Sequence, residues 1–181
     1  APSILVYGDS LSSAYGIAQP RGWVALLEAR LKREGRDYNV VNASISGETT
    51  RGGLARLPKV LSQVEPALVI LQLGANDGLR GLPVAEMKRN LAAMIEQSKN
   101  AGAKVLLVGM QLPPNWGPEY TEDFEAAFPA LARAHDTALL GFLFEGLEDG
   151  PVHFQPDRLH PNEAAQPIIL DTVWAKLAPL L

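Results

Sequence analysis

We predict a three-layer α/β fold, in which a mostly parallel sheet lies between two layers of helices. Five short apolar runs alternate along the chain with segments of helical periodicity. The runs are continuously apolar, as in strands that are covered on both faces. Parallel strands need a crossover between them, and the alternation supplies a helix for it. For 181 residues, of which 47% are hydrophobic, we expect one domain spanning residues 1–181.

Each strand is expected where aliphatic and aromatic residues are contiguous. The predicted strands are Ile4 to Tyr7, Tyr38 to Ala43, Leu68 to Leu73, Val105 to Met110 and Leu139 to Phe144.

Each helix is expected where apolar residues recur at every third or fourth position. Such faces run from Trp23 to Leu31, Val84 to Ile95, Phe124 to Leu131 and Ile169 to Leu181. A further segment, from Arg51 to Val64, contains Pro58, which we expect to break or kink the helix. Pro167 raises the same question for the start of the last helix.

Composition excludes several classes of function. The 16 basic residues are scattered and the formal net charge is -4, so nucleic acid is not an expected partner. No apolar stretch approaches the run of about 20 residues that a membrane-spanning helix needs. The absence of cysteine excludes disulfides, thiolate nucleophiles and Cys-ligated zinc.

Four loops carry residues suited to catalysis. GDSLS, SISGET and GANDG follow the first three predicted strands, and DRLHPN precedes the last helix. Parallel sheets bind ligands beyond the carboxyl ends of their strands, near the point where strand order reverses. If the order is 2-1-3-4-5, the first three loops meet at that point. Residues 145–156 then carry the fourth loop back across the sheet.

Ser10, Asp157 and His160 are the candidate catalytic group. A serine hydroxyl needs a base to take its proton, and the base works best when a carboxylate orients it. Asp157 and His160, three residues apart in a predicted turn, supply that pair. Ser10 lacks the G-x-S-x-G elbow of α/β-hydrolases, which indicates a different hydrolase scaffold. Gly47 and Asn76 are candidate donors to an oxyanion.

Each of these residues also has a purely structural interpretation. Ser10 could cap a helix, Asn76 could be a turn residue, and His160 could be an exposed loop histidine. The catalytic interpretation is favoured because all three catalytic residue types occur in loops where a site is expected.

These four segments together resemble the GDSL family of lipolytic enzymes, specifically its SGNH hydrolase branch. The matching residues are Ser10, Gly47, Asn76 and His160. The resemblance implies a flavodoxin-like fold and an acyl-enzyme formed on Ser10, with His160 as proton shuttle and Asp157 orienting it. It implies an oxyanion held by the backbone N–H groups of Ser10 and Gly47 and by the Asn76 amide. It implies no cofactor, and we expect no bound metal.

Within that branch the chain is similar to small bacterial periplasmic enzymes described as thioesterases, lysophospholipases and arylesterases. The resemblance therefore implies broad activity on acyl esters and thioesters, and we expect a monomer. The first residue is Ala rather than Met, which either a cleaved secretory signal or an arbitrary boundary would explain. The resemblance favours the signal, and so a periplasmic or secreted protein.

Apolar residues on the loops at this end of the sheet are candidates for binding the acyl chain. They are Leu11, Leu79, Leu82, Met110, Leu112, Pro113 and Trp116. Ordinary loop packing is an equally good explanation for them. Two other functions stay open, a carbohydrate acetylesterase of the same fold and a flavodoxin-like binding module without catalysis.

Overall fold

The computed structural model describes residues 1–181 and contains one five-stranded parallel sheet. The strands are β1 (Ser3–Gly8), β2 (Asn39–Asn42), β3 (Leu68–Gln72), β4 (Lys104–Val108) and β5 (Ala138–Leu140). Their spatial order is β2-β1-β3-β4-β5. The predicted fold class and strand order are confirmed. Strand order reverses at β1, which lies between β2 and β3.

Six helices accompany the sheet. They are α1 (Trp23–Arg33), α2 (Thr50–Val64), α3 (Ala75–Leu79), α4 (Val84–Asn100), α5 (Pro118–Ala134) and α6 (Gln166–Leu177). Helices α1 and α6 pack together on one face, whereas α4 packs between α2 and α5 on the other. Short 3₁₀ turns lie at Gln19–Arg21, Pro114–Trp116, Glu163–Ala165 and Ala178–Leu180. None of the helices is long and apolar enough to cross a bilayer.

A single cluster of 40 buried residues forms the core and includes residues from both helical layers. Strand β3 is buried along its whole length, and β1 is buried from its second residue onward. Both faces of these strands are therefore covered, which explains their continuously apolar sequences.

Pro58 does not break α2, contrary to expectation. The helix runs from Thr50 to Val64 with Pro58 in its interior. Because Pro58 lies on the exposed side of the helix, water can bond the carbonyl group that loses its N–H partner. Pro167 lies in the first turn of α6, where no backbone N–H is required.

The last strand is shorter than predicted. Pairing with β4 ends at Leu140, and the chain then turns at Gly141 instead of continuing through Phe144. Phe142 and Phe144 pack against each other with ring centroids 5.9 Å apart. Their apolar character reflects loop packing against the core, which a continuous apolar run does not distinguish from a strand.

Candidate active site

Ser10, His160 and Asp157 form a hydrogen-bonded line. Ser10 lies in the turn after β1, and its Oγ is 2.9 Å from Nε2 of His160. The other ring nitrogen of His160, Nδ1, is 2.6 Å from Oδ2 of Asp157. The structure thus brings together three side chains that the sequence separates by up to 150 positions.

The Asp157 side chain also fixes the turn that carries His160. Its Oδ1 accepts hydrogen bonds from the backbone N–H of Leu159 at 2.9 Å and of His160 at 3.0 Å. Arg158, which lies between Asp157 and Leu159, has a φ of 62°, a left-handed conformation that is uncommon for residues other than glycine. This compact turn lets a carboxylate and an imidazole only three residues apart face each other.

Asp157 is held in its ionised form. Burial by itself would raise the pKa of this carboxyl group, but the backbone N–H groups of His160 and Leu159 and the imidazole outweigh burial and lower the pKa. An ionised Asp157 accepts a hydrogen bond from the Nδ1–H group of His160. The unprotonated Nε2 then faces Ser10 as an acceptor, the tautomer that a general base requires.

Two backbone N–H groups, in the turns that follow β1 and β2, have no hydrogen-bond acceptor within the protein. Neither Ser10 nor Gly47 donates its N–H to an acceptor within the protein. Gly47 lies in the turn closed by the Glu48 N–H and the Ile45 carbonyl oxygen, 3.2 Å apart. Its φ is +83°, although an added Cβ would meet no atom within 4 Å. Glycine is therefore favoured at this position by backbone conformation and not by space.

Asn76 presents its side-chain amide from the first turn of α3. Its Nδ2 donates to the carbonyl oxygen of Glu48 at 3.0 Å and is 3.5 Å from Oδ2 of Asp9. The next residue, Asp77, is buried and accepts from the backbone N–H and the hydroxyl of Thr50 at 2.8 and 2.6 Å. These bonds attach α3 to the start of α2 and fix the position of the Asn76 amide.

Asp9 is a second carboxylate in the site, and it is fully buried. Its Oδ1 accepts from the Leu11 N–H and from Gln72 Nε2, both at 3.0 Å. Burial raises the pKa of Asp9 to about 6, although the bonds from Leu11 and Gln72 and the nearby His160 lower it. The preceding residue is Gly8, where a Cβ would come within 2.5 Å of Gln72 Oε1.

Sequence analysis missed two residues that contact the His160 segment. The ring of Tyr15 lies against the imidazole, with centroids 4.3 Å apart. Gln155 donates through Nε2 to the carbonyl oxygens of Tyr15 at 2.8 Å and Pro161 at 3.0 Å. Its backbone N–H donates to the His160 carbonyl oxygen at 2.8 Å. No local sequence pattern marks either residue, because Tyr15 and Gln155 are 140 positions apart.

The residues considered for acyl binding do not share one environment. Leu11, Met110 and Leu112 belong to the core, Leu82 is exposed, and Leu79, Pro113 and Trp116 are partly buried. Met110 also lines a cavity of about 440 Å³, together with Phe142 and Lys176. None of the residues Ser10, His160 and Asp157 lines this cavity. These positions do not identify an acyl pocket.

The remaining histidines lie outside the site. His135 ends α5, and Nδ1 of His153 accepts the backbone N–H of Glu148 at 2.7 Å. No group of three or more His, Asp or Glu side chains is placed to hold a metal ion.

Three curated relatives match nearly the whole chain. It is 52% identical to the esterase TesA of Pseudomonas aeruginosa, over all of this chain and 90% of that protein. It is 42% identical to an arylesterase of Vibrio mimicus, over 96% of this chain and 87% of the relative. It is 41% identical to the thioesterase 1/protease 1/lysophospholipase L1 of Escherichia coli K12, over all of this chain and 86% of the relative.

The fold matches that of solved esterases. The crystal structure of the psychrotrophic esterase EstA from Pseudoalteromonas sp., inhibited by monoethylphosphonate, superposes with a TM-score of 0.95. That enzyme is 41% identical, and the match covers 99% of this chain and 98% of the other. The model of the GDSL-like lipase/acylhydrolase family matches residues 6–167. The predicted carboxylic ester hydrolase is confirmed, and the chain belongs to the GDSL-like lipase/acylhydrolase family.

Proposed function

We propose that this ester hydrolase works through an acyl-enzyme on Ser10, with His160 as general base and Asp157 as the residue that orients it. The observation that carries the proposal is the unbroken line from Ser10 Oγ to His160 Nε2 and from His160 Nδ1 to Asp157 Oδ2. Serine oxygen becomes a useful nucleophile when a correctly oriented imidazole removes its proton.

The reaction has two acyl-transfer steps. Ser10 Oγ attacks the substrate carbonyl while its proton passes to His160 Nε2, and His160 then gives this proton to the leaving alcohol or thiol. Water attacks the resulting ester on Ser10, again losing a proton to His160, and Ser10 regains its proton as the acid departs. In both steps the carbonyl oxygen gains negative charge. We assign its stabilisation to the backbone N–H groups of Ser10 and Gly47 and to the amide of Asn76.

The substrates we propose are acyl thioesters, aryl esters and lysophospholipids. The names of the three relatives support this range. The exposed large apolar side chains also support it, because all five lie on loops at the carboxyl edge of the sheet. They are Tyr15, Ile45, Leu82, Val152 and Leu159. An apolar rim favours a hydrocarbon chain over a sugar.

Ser10→Ala tests the mechanism, with Ser13→Ala as its control. Ser13 belongs to the same loop, but its hydroxyl pairs with Ser46 at 3.0 Å and not with a histidine. We expect a fluorophosphonate to label the native protein and Ser13→Ala once per chain, and to leave Ser10→Ala unlabelled. Ester hydrolysis should be lost only in Ser10→Ala. Retention of hydrolysis by Ser10→Ala would refute the proposed nucleophile.

A substrate panel tests the substrate class. We expect kcat/KM for nitrophenyl esters to rise from acetyl to medium-length acyl groups, with measurable turnover of an acyl-CoA and a lysophosphatidylcholine. A preference for acetyl groups on a xylo-oligosaccharide would support the carbohydrate acetylesterase instead.

We also propose that the protein works as a monomer in the periplasm or outside the cell. Resemblance to the periplasmic branch of the family supports the location. Cell fractionation of the full-length gene product and light scattering of the purified protein test the two statements. Activity confined to the cytoplasm, or the mass of a dimer, would contradict them.

A further inference from the structure

Arg56 is connected to both ends of the loop that carries Gly47. Its guanidinium projects from α2, where Nη2 donates to the carbonyl oxygen of Ala43 at 2.8 Å. Nε donates to Oε1 of Glu48 at 3.0 Å. Ala43 and Glu48 bracket the segment 43–48, so one side chain holds the segment at its first and last residues.

The same connection reaches Asn76. The backbone carbonyl oxygen of Glu48 accepts the Asn76 amide at 3.0 Å, while the Glu48 side chain pairs with Arg56. A shift of Glu48 would therefore move the acceptor that orients Asn76. Two of the three proposed oxyanion donors depend on the position of a segment that Arg56 holds.

Arg56 is itself held by the strand that leads to Ser10. Its guanidinium carbon lies 4.6 Å from the ring centroid of Tyr7, which is fully buried in β1. The Tyr7 hydroxyl donates to the carbonyl oxygen of Gly53 in α2 at 2.6 Å. Burial and the Glu48 carboxylate raise the pKa of Tyr7 to about 12, although the Arg56 guanidinium lowers it, so this hydroxyl stays protonated as a donor.

The arrangement depends on the shape of arginine. A planar guanidinium donates in several fixed directions and stacks on an aromatic ring at the same time, whereas a lysine ammonium is a single point charge. Partly exposed ion pairs add little to stability. A small displacement of a positioned group, in contrast, can lower a rate by about 100-fold.

We propose that Arg56 is a positioning residue for the oxyanion site, acting through the segment 43–48 on Gly47 and through Glu48 on Asn76. The inference rests on the proposed function, because it assigns a support to donors that the proposed mechanism uses.

Arg30 offers a matched control. Its side chain is 27% exposed, compared with 28% for Arg56. It pairs with Glu34 at 3.1 Å and Asp171 at 3.0 Å, and its guanidinium carbon is 4.6 Å from the ring centroid of Trp174. Arg30 belongs to α1, which packs with α6 and not with α2. The two arginines thus make similar contacts, but of these two only Arg56 contacts the segment 43–48.

The test compares Arg56→Met, Arg56→Lys and Arg30→Met with the native protein, using nitrophenyl butyrate. We expect Arg56→Met to lower kcat by about 10- to 100-fold, with KM changed by less than about threefold. Arg56→Lys should recover only part of the loss, because lysine restores the positive charge but not the planar guanidinium that donates in several fixed directions. Arg30→Met should keep its kcat even where its melting temperature falls as much as that of Arg56→Met.

Two results would overturn the inference. One is a kcat within about twofold of native in Arg56→Met, or in Arg56→Lys if the Met variant does not fold. The other is an equal loss of kcat in Arg30→Met, which would reveal a general effect of stability. Fluorophosphonate labelling separates this inference from the proposed function. A native protein that is not labelled at Ser10 overturns the mechanism itself, whereas normal labelling with unaffected Arg56 variants overturns only the role of Arg56.

Discussion

The ring of Tyr15 lies against the imidazole of His160, with centroids 4.3 Å apart and ring planes inclined by 38°. Tyr15 is 49% exposed, so its ring separates one side of the imidazole from solvent without being buried itself. An aromatic face near a cation attracts it, and His160 becomes a cation in each step of the proposed reaction.

We therefore predict that Tyr15→Ala lowers kcat by about two- to fivefold, as expected for an exposed cation–π contact. Tyr15→Phe keeps the ring and should keep the native kcat. Steady-state kinetics on a nitrophenyl ester measures both. An equal loss in the two variants would assign the effect to the hydroxyl instead of the ring.

Asn76→Ala should lower kcat by about two to three orders of magnitude, because it removes a donor to the developing oxyanion. The variant also leaves the Glu48 carbonyl oxygen without the Asn76 bond, so its melting temperature must be measured alongside. A loss of only about twofold in a folded variant, far below the usual range, would remove Asn76 from this role.

Asp157→Asn should lower kcat by about three to four orders of magnitude. The amide oxygen can still accept the backbone N–H groups of Leu159 and His160, so the turn should persist. Its NH₂ group, however, would donate to His160 Nδ1 and shift the ring proton to Nε2, where it faces Ser10. Burst kinetics with a nitrophenyl ester should show slow acylation. Near-native acylation would contradict the orienting role.

The pH dependence of kcat/KM should report on His160 and not on Asp157. Burial would raise the pKa of Asp157, but hydrogen bonds from His160 and Leu159 outweigh burial and lower it, so Asp157 should stay ionised as the pH falls. Activity should fall on acidification, since a protonated imidazole cannot act as base. A kcat/KM that does not change on acidification would contradict the role of His160 as the base.

Asp9→Asn should stabilise the protein at neutral pH. Burial raises the pKa of Asp9 from 3.8 to about 6, so the folded chain binds this proton more tightly than the unfolded chain. Stability is consequently lost as the pH rises through this interval. The shift corresponds to about 3 kcal/mol at neutral pH.

Urea unfolding at about pH 4 and about pH 7 measures this effect. The free energy of unfolding of Asp9→Asn, relative to the native protein, should rise by up to about 3 kcal/mol between the two pH values. Asp37→Asn, at an exposed position, serves as the control. A difference between Asp9→Asn and the native protein that does not change with pH would contradict the prediction.

Much of the fold follows from local patterns. Strands β1, β3 and β4 are recognisable because both of their faces are covered, so each is continuously apolar. The same pattern wrongly predicted that β5 continues to Phe144. Phe142 and Phe144 are apolar because they pack against each other in a loop. The predicted break at Pro58 was wrong, because the orientation of this proline toward solvent is a property of the tertiary structure.

The site was predictable only where short motifs mark it. Ser10, Asp157 and His160 have side chains whose chemistry indicates their pairing from the amino-acid sequence alone. The contact of Tyr15 with His160, by contrast, arises only from the fold. Arg56 likewise has the sequence context of an ordinary residue in an amphipathic helix, and only its contacts with Ala43 and Glu48 distinguish it.

The 150-residue separation of Ser10 and His160 has a consequence for biosynthesis. A nascent chain that has emerged only as far as β4 already contains the nucleophile but has no imidazole near it. Hydrolysis must wait until the last strand and the loop that carries His160 have been synthesised and packed. Products that are truncated before His160 and released early by the ribosome should therefore not consume cellular esters.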